Sequence, residues 1–163
     1  MNTKNIKKKD YLGAAIFVVI CEVAGGAGAL FTTPQIGTWY AGLNKPMIAP
    51  PNWIFAPVWT TLFALMGVAA YLVWRRRKQD VRAGEALMIF FMQLGLNIIW
   101  SGLFFGRHSV DGALAEIIVL WLAILLTIVK FKSISRTAAY LLLPYILWVT
   151  FAGYLNFLLY TLN

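Results

Sequence analysis

Metal-binding and redox-active residues are almost missing from this chain of 163 residues, which has one cysteine, Cys21, and one histidine, His108. No intramolecular disulfide can form, and no zinc or dithiol cluster can be built. Charge is scarce as well: 12% of residues are charged, where soluble domains carry about 25%. No Ser-His-Asp set, phosphate-cradling glycine loop or metal-ligand spacing occurs. Conventional acid–base or metal catalysis therefore has no residues to work with, and the expected metal set is none. Cys21 lies in an apolar run and reads as inert filling. His108, beside Arg107 and Asp111, reads as a solvated loop residue rather than a haem ligand.

What is present in quantity is apolar surface, 61% of the residues. A soluble fold of this length could not hide it, whereas a bilayer lets outward faces be apolar too. Five stretches carry it: Tyr11 to Phe31, Trp53 to Trp74, Ala86 to Phe105, Ala113 to Phe131 and Thr137 to Leu162. Each is close to the ~20 residues that cross a ~30 Å hydrocarbon core as a helix. Unpaired backbone groups are too costly in lipid for anything but helices here. The sequence thus predicts an all-α integral membrane protein, residues 1–163 forming one five-helix transmembrane bundle.

The net charge of +8 does not imply nucleic acid, because the basic residues sit in short runs at the ends of the spans. Twelve fall on one side: Lys4, Lys7, Lys8 and Lys9; Arg75, Arg76, Arg77, Lys78 and Arg82; Lys130, Lys132 and Arg136. The other side has only Lys45 and Arg107. The positive-inside rule then places the N-terminus in the cytoplasm and the C-terminus outside. Lys7 to Lys9, the following apolar run and Ala27-Gly28-Ala29 also fit a cleaved signal peptide. Alternatively, Ala24/Gly28 and Gly25/Ala29 are small-residue pairs that let helices approach closely.

The longest connection, Thr32 to Asn52, contains Pro34, Pro46, Pro50 and Pro51, which forbid one continuous helix across it. Thr38 is placed to cap a short helix through about Asn44. The loop reads either as a lid over the outer end of the bundle or as a passive linker.

Polar groups inside the spans are few and patterned. Gln93, Asn97, Trp100, Ser101 and Phe104 share one face of the third span. That face serves either a cavity or helix–helix hydrogen bonding. The fifth span repeats the theme with Tyr145, Trp148, Ala152 and Asn156, and Pro144 should kink it. The second presents Phe55, Trp59, Phe63 and Met66. Together these faces suit a flat, mostly apolar ligand with a few polar groups. Trp53 and Trp74 suit the interfacial aromatic belt. Glu22 lies mid-span, where a charge costs several kcal/mol, so it is protonated or paired, with or without a functional role. Glu116, within a turn of the outer end of its span, should reach water. Gly95 and Gly102, seven apart, would permit a helix–helix dimer contact.

The order of these residues resembles the tryptophan-rich sensory protein, or translocator protein, family. The matching segments are Trp39-Tyr40-Ala41-Gly42-Leu43-Asn44-Lys45-Pro46, Pro50-Pro51, Val58-Trp59-Thr60, and Gln93-Leu94-Gly95-Leu96-Asn97 with Trp100 and Phe104-Phe105-Gly106. Pro144-Tyr145, Trp148, Phe151-Ala152 and Leu155-Asn156 complete the match. The resemblance implies a five-helix bundle, usually a homodimer, with a cavity open toward the first loop, in the plasma membrane of a bacterium. It implies binding of porphyrins such as protoporphyrin IX, or other tetrapyrroles, and of isoquinoline carboxamides. No cofactor is required, a porphyrin being ligand or substrate. By position, Trp59 and Trp148 become candidate photo-oxidation donors in a light-dependent porphyrin degradation. The ligand-lining set becomes Trp39, Tyr40, Pro51, Phe55, Phe63, Gln93, Asn97, Trp100, Phe104, Tyr145 and Ala152. Met47-Ile48-Ala49 departs from the family's aromatic at this segment. A sterol pattern is weakly supported: no basic residue follows Tyr154, and a loose match occurs at Val68, Tyr71 and Arg75. A transporter and a structural assembly factor are the alternative readings.

Overall fold

The computed structural model describes residues 3–163, with side chains from Asp10 onward. The side chains of Lys4, Lys7, Lys8 and Lys9, which the topology reading counts, lie outside the described residues. Every element among the described residues is helical, and five helical segments are long and apolar enough to cross a membrane. They are α1 (Thr3–Ile36), α2 (Phe55–Trp74), α3 (Arg82–Ser101), α4 (Val110–Ile134) and a fifth span broken into α5 (Arg136–Leu141) and α6 (Leu143–Leu162).

α1 and α4 outrun their apolar stretches at both ends, and α3 and α5 begin earlier than theirs. Ser109 starts α4 by accepting the Gly112 N–H at 3.2 Å, and Ser135 starts α5 by accepting the Ala138 N–H. These caps satisfy donors that have no partner within the helix. The break at Leu142 falls where Pro144 enters the first turn of α6 and cannot donate backward.

Two features differ from the sequence expectation. First, α1 runs through Pro34, and the lid contains only a three-residue 3-10 turn, Tyr40–Gly42, rather than a helix to Asn44. Thr38 does not cap it. Its hydroxyl donates back to the Pro34 carbonyl at 3.0 Å, because the C-terminal carbonyls of α1 lack helical partners. Second, α3 ends in a wide π-helical turn, Gly102–Gly106. That turn holds Phe104 and Phe105 buried side by side, at 4.8 Å and 67°.

Packing sets where space is left. α1 and α2 touch most closely in their halves away from the lid. A Cβ on Gly67 would stand 2.5 Å from Val18 Cα, and one on Gly13 would collide with the Tyr71 ring. Nearer the lid both helices line a cavity. The end of the bundle opposite the lid is tied by arginines: Arg76 donates to the Ile134 carbonyl, Arg82 pairs with Asp80 at 2.8 Å, and Arg77 lies over the Trp74 ring. Arg82's side-chain and backbone hydrogen bonds hold Asp80 below the usual carboxylate range. The connection Arg75–Arg82 and the α4–α5 corner share this end, while Lys45 and Arg107 occupy the opposite one.

Candidate functional site

Between the lid-side halves of α1, α2, α3 and α6 lies a cavity of about 380 Å³. Trp59, Phe55 and Phe63 come from α2, with Trp59 stacked on Phe63 at 5.5 Å. Trp148 and Ala152 come from α6, and the Phe55 ring meets Trp148 edge-on at 5.9 Å. Asn97, Trp100 and Phe104 come from α3 and its wide turn, Trp100 stacking on Phe104 at 5.1 Å. Tyr40 closes the outer end from the lid. Its ring is 4% exposed, and burial raises the phenol above its ordinary range.

Of the thirteen residues read from the sequence as site residues, nine line this cavity: Tyr40, Phe55, Trp59, Phe63, Asn97, Trp100, Phe104, Trp148 and Ala152. The other four lie elsewhere. Gln93 and Tyr145 are buried one layer inward of Asn97, where the Tyr145 hydroxyl receives the Asn97 amide at 3.1 Å and donates to Gln93 Oε1 at 2.9 Å. The polar face of α3 is therefore split, Asn97 serving both the cavity wall and this network. Trp39 stacks on His108, with ring centres 4.3 Å apart and planes 12° from parallel. Pro51 is exposed and leads into the short turn Asn52–Ile54.

His108 is exposed but not free. It adopts φ 54°, an uncommon left-handed conformation, and its Nε2 lies 3.2 Å from Gln35 Oε1. It thereby ties the α3–α4 corner to the end of α1 and to the lid.

The wall contributed by α1 went unread in the sequence. Glu22, Gly25, Gly28, Ala29, Thr32 and Ile36 all line the cavity. The spacing of small residues was the available signal, but it pointed equally to helix packing or to a cleavage site. Gly25 faces the Phe63 ring, and a Cβ on Gly28 would sit 3.1 Å from Ser101 Oγ. The small residues thus bring α1 close enough to act as a wall while leaving room inside it.

Glu116 corrects an expectation. Its carboxylate oxygens are buried and have no hydrogen-bond partner among the described residues, rather than reaching water. α4 starts earlier than the apolar pattern suggested, so Glu116 lies well inside it. The same stretch of α4 packs on α6, where Ile117 lies beside Gly153 and the Val110 carbonyl accepts from Asn156. The indole N–H of Trp148 and Gln93 Nε2 are also buried without partners. Tyr71, part of the loose sterol pattern, is buried and donates its hydroxyl to Asp10.

The model of the TspO/MBR family matches residues 17–161. The "Tryptophan-rich protein TspO" of Archaeoglobus fulgidus is 45% identical, over 93% of this chain and 96% of that protein. The "Tryptophan-rich sensory protein" of Cereibacter sphaeroides is 37% identical, over 90% of this chain and 89% of its own length. The "Translocator protein" of Bos taurus is 35% identical, over 90% and 88%. A five-span bundle, an aromatic cavity under the first loop and similarity over nearly the whole length agree: the chain belongs to the TspO/MBR family of membrane proteins.

Proposed function

We propose that this protein is a membrane sensor that binds porphyrins in the cavity and degrades them in light with oxygen. The observation that carries the reading is the wall itself: three indoles, Trp59, Trp100 and Trp148, with Phe55, Phe63 and Phe104 around one volume of about 380 Å³. Flat apolar ligands gain most from such faces, and small-molecule sites typically enclose about 300–1,000 Å³. A bound porphyrin absorbs visible light and either passes its excitation to oxygen or takes an electron from Trp59 or Trp148, the nearby oxidisable donors, to give a reduced ring that oxygen then reoxidises. Isoquinoline carboxamides, which are also flat and weakly polar, fit the same lining.

The proposed setting is a bacterial plasma membrane, with the N-terminus cytoplasmic and the protein a homodimer. Gly95 suits a helix–helix contact, since a Cβ there would meet nothing within 4 Å, whereas Gly102 already faces Phe31 of α1. The testing experiment is a protoporphyrin IX titration of detergent-purified protein, dark and illuminated. Saturable binding in the dark and oxygen-dependent bleaching in light are expected. Absence of saturable binding would remove the reading.

A further inference from the structure

The cavity wall is unevenly buried. Every lining residue from α3, its wide turn and α6 is buried or half-buried. The exposed ones are Gly26, Ala29 and Thr33 of α1, Ala56 and Thr60 of α2, and Asn52 just before α2. Gly26, Ala29 and Thr33 continue a stripe that starts at Glu22, with spacings of 4, 3 and 4 along one face of α1. Ala56 and Thr60 stand about one turn apart on α2. Both stripes fall within segments apolar enough to cross the membrane, Asp10–Ile36 and Asn52–Trp74, so what they are exposed to is lipid. Their neighbours Val23, Leu30 and Phe31 are exposed and apolar, as lipid-facing side chains are. At the lid end, by contrast, Tyr40 is buried, with Lys45 Nζ 4.5 Å from its ring centre.

Gly26 separates a gap from a packing seam. A Cβ on Gly25 would strike the Phe63 ring at 2.4 Å, and one on Gly28 would sit 3.1 Å from Ser101 Oγ. One on Gly26 would meet nothing within 4 Å. Glycine inside a helix costs about 1 kcal/mol relative to alanine, and no contact within this chain requires it at Gly26. What the missing side chain preserves is open space beside the cavity.

We propose that the gap between the lid-side halves of α1 and α2 is a lateral portal, through which the ligand passes between the cavity and the lipid. The route does not depend on the ligand being a porphyrin. It does select a chemical class, a flat and mostly apolar molecule that dissolves in the bilayer before it binds. The exposed edges of the portal within the two helices are glycine, alanine and threonine, which offer no counter-ion to a charged group stripped of its water. Inside, the indole N–H of the lining residue Trp148 is buried without a partner, so a ligand that completes the wall also brings a hydrogen-bond acceptor.

The test follows a thiol on the cavity wall, in the full chain held in lipid nanodiscs. Ala152→Cys, made together with Cys21→Ala, supplies the thiol. It meets in turn a lipid-soluble reagent, pyrene maleimide, and a sulfonated maleimide confined to water. The lipid-soluble reagent should label it the faster of the two. Adding Gly26→Trp or Thr60→Trp, one from each edge, should slow that labelling by about tenfold, a barrier higher by about 1.4 kcal/mol. The new side chain at Gly26 enters open space and Thr60 is exposed, so both variants should melt near the parent. With protoporphyrin IX in the dark, both should slow association and dissociation by the same factor and leave affinity unchanged, because a portal alters the path and not its ends. Labelling by the sulfonated reagent at an equal or greater rate would overturn the portal. So would pyrene labelling at the parent's rate in a tryptophan variant that melts like the parent. Weaker porphyrin binding at an unchanged association rate would also overturn it, leaving Gly26 and Thr60 as wall alone. If the wild type binds no porphyrin, the labelling still decides the route, and only the porphyrin reading fails.

Discussion

Asn163 grips the backbone of Asn44 from both sides: its Oδ1 accepts the Asn44 N–H at 2.9 Å, and its Nδ2 donates to the Asn44 carbonyl at 3.1 Å. The Asn44 side chain answers by donating to the Leu162 carbonyl at 3.2 Å. The lid is thus fastened to the end of α6, one residue before Lys45. Asn163→Ala removes both bonds to the lid backbone while leaving the bundle intact. A net loss on the order of 1 kcal/mol predicts porphyrin release about fivefold faster. Stopped-flow displacement measures this, and an unchanged off-rate would mean that the lid does not retain ligand.

Asn97 and Tyr145 separate the two roles of the α3 polar face. Asn97→Leu removes a cavity amide and the buried Asn97–Tyr145 hydrogen bond, but Tyr145 still donates to Gln93, so porphyrin affinity should fall and the melting temperature should drop less than in Tyr145→Phe. Tyr145→Phe strands Gln93 Oε1 without its donor in a fully buried place, at about 1–3 kcal/mol of stability. Its porphyrin affinity should match wild type. Equal effects of both changes on affinity and melting would show that the face is a single structural unit.

Trp59 and Trp148 should matter for chemistry more than for binding. Phe at either position keeps an apolar stacking face. Dark affinity should change by no more than a few-fold, and illuminated loss of porphyrin absorbance should slow in each single mutant and further in the double. If the double mutant bleaches at the wild-type rate at equal occupancy, the indoles are cavity walls only.

Glu116 offers a stability test. A buried carboxyl without partners costs free energy that a well-packed apolar residue does not. Glu116→Leu should raise the melting temperature in detergent, by a gain on the order of 1 kcal/mol. A lowered melting temperature would indicate a partner for the carboxyl in the membrane.

Orientation is checked with reporters fused after Asn163 and within Arg75–Arg82. The first should read as outside and the second as cytoplasmic. A cytoplasmic C-terminus would sink the proposed topology.

Much of this was legible in the sequence because it rests on long-range composition or on helical periodicity. The five spans follow from apolarity, and the aromatic faces of α2 and α6 follow from spacing. Periodicity gives a face but not a depth, which is why Gln93 and Tyr145 read as lining residues although the cavity stops at Asn97. The α1 wall escaped notice because Gly25 and Gly28 contribute by lacking a side chain, and space has no residue type. Trp39 could not be placed, since its partner His108 depends on a left-handed backbone in a corner more than sixty residues away. The burial of Glu116 turned on where α4 begins, and apolar patterns locate helix ends poorly.

The contact of Gly67 with Val18 makes the inner crossing of α1 and α2 a fulcrum. From Val18 to Ile36 the lever is about 27 Å long at 1.5 Å per residue, so a rotation of about 5° moves its outer end by about 2 Å. Such a tilt needs no sliding at the crossing and leaves the Phe17–Trp74 contact near the pivot, with its ring centres 5.7 Å apart, almost untouched. The width of the chamber is therefore set in part at a crossing that does not line it. A larger residue at 67 would regauge the chamber from the far end of the helix pair.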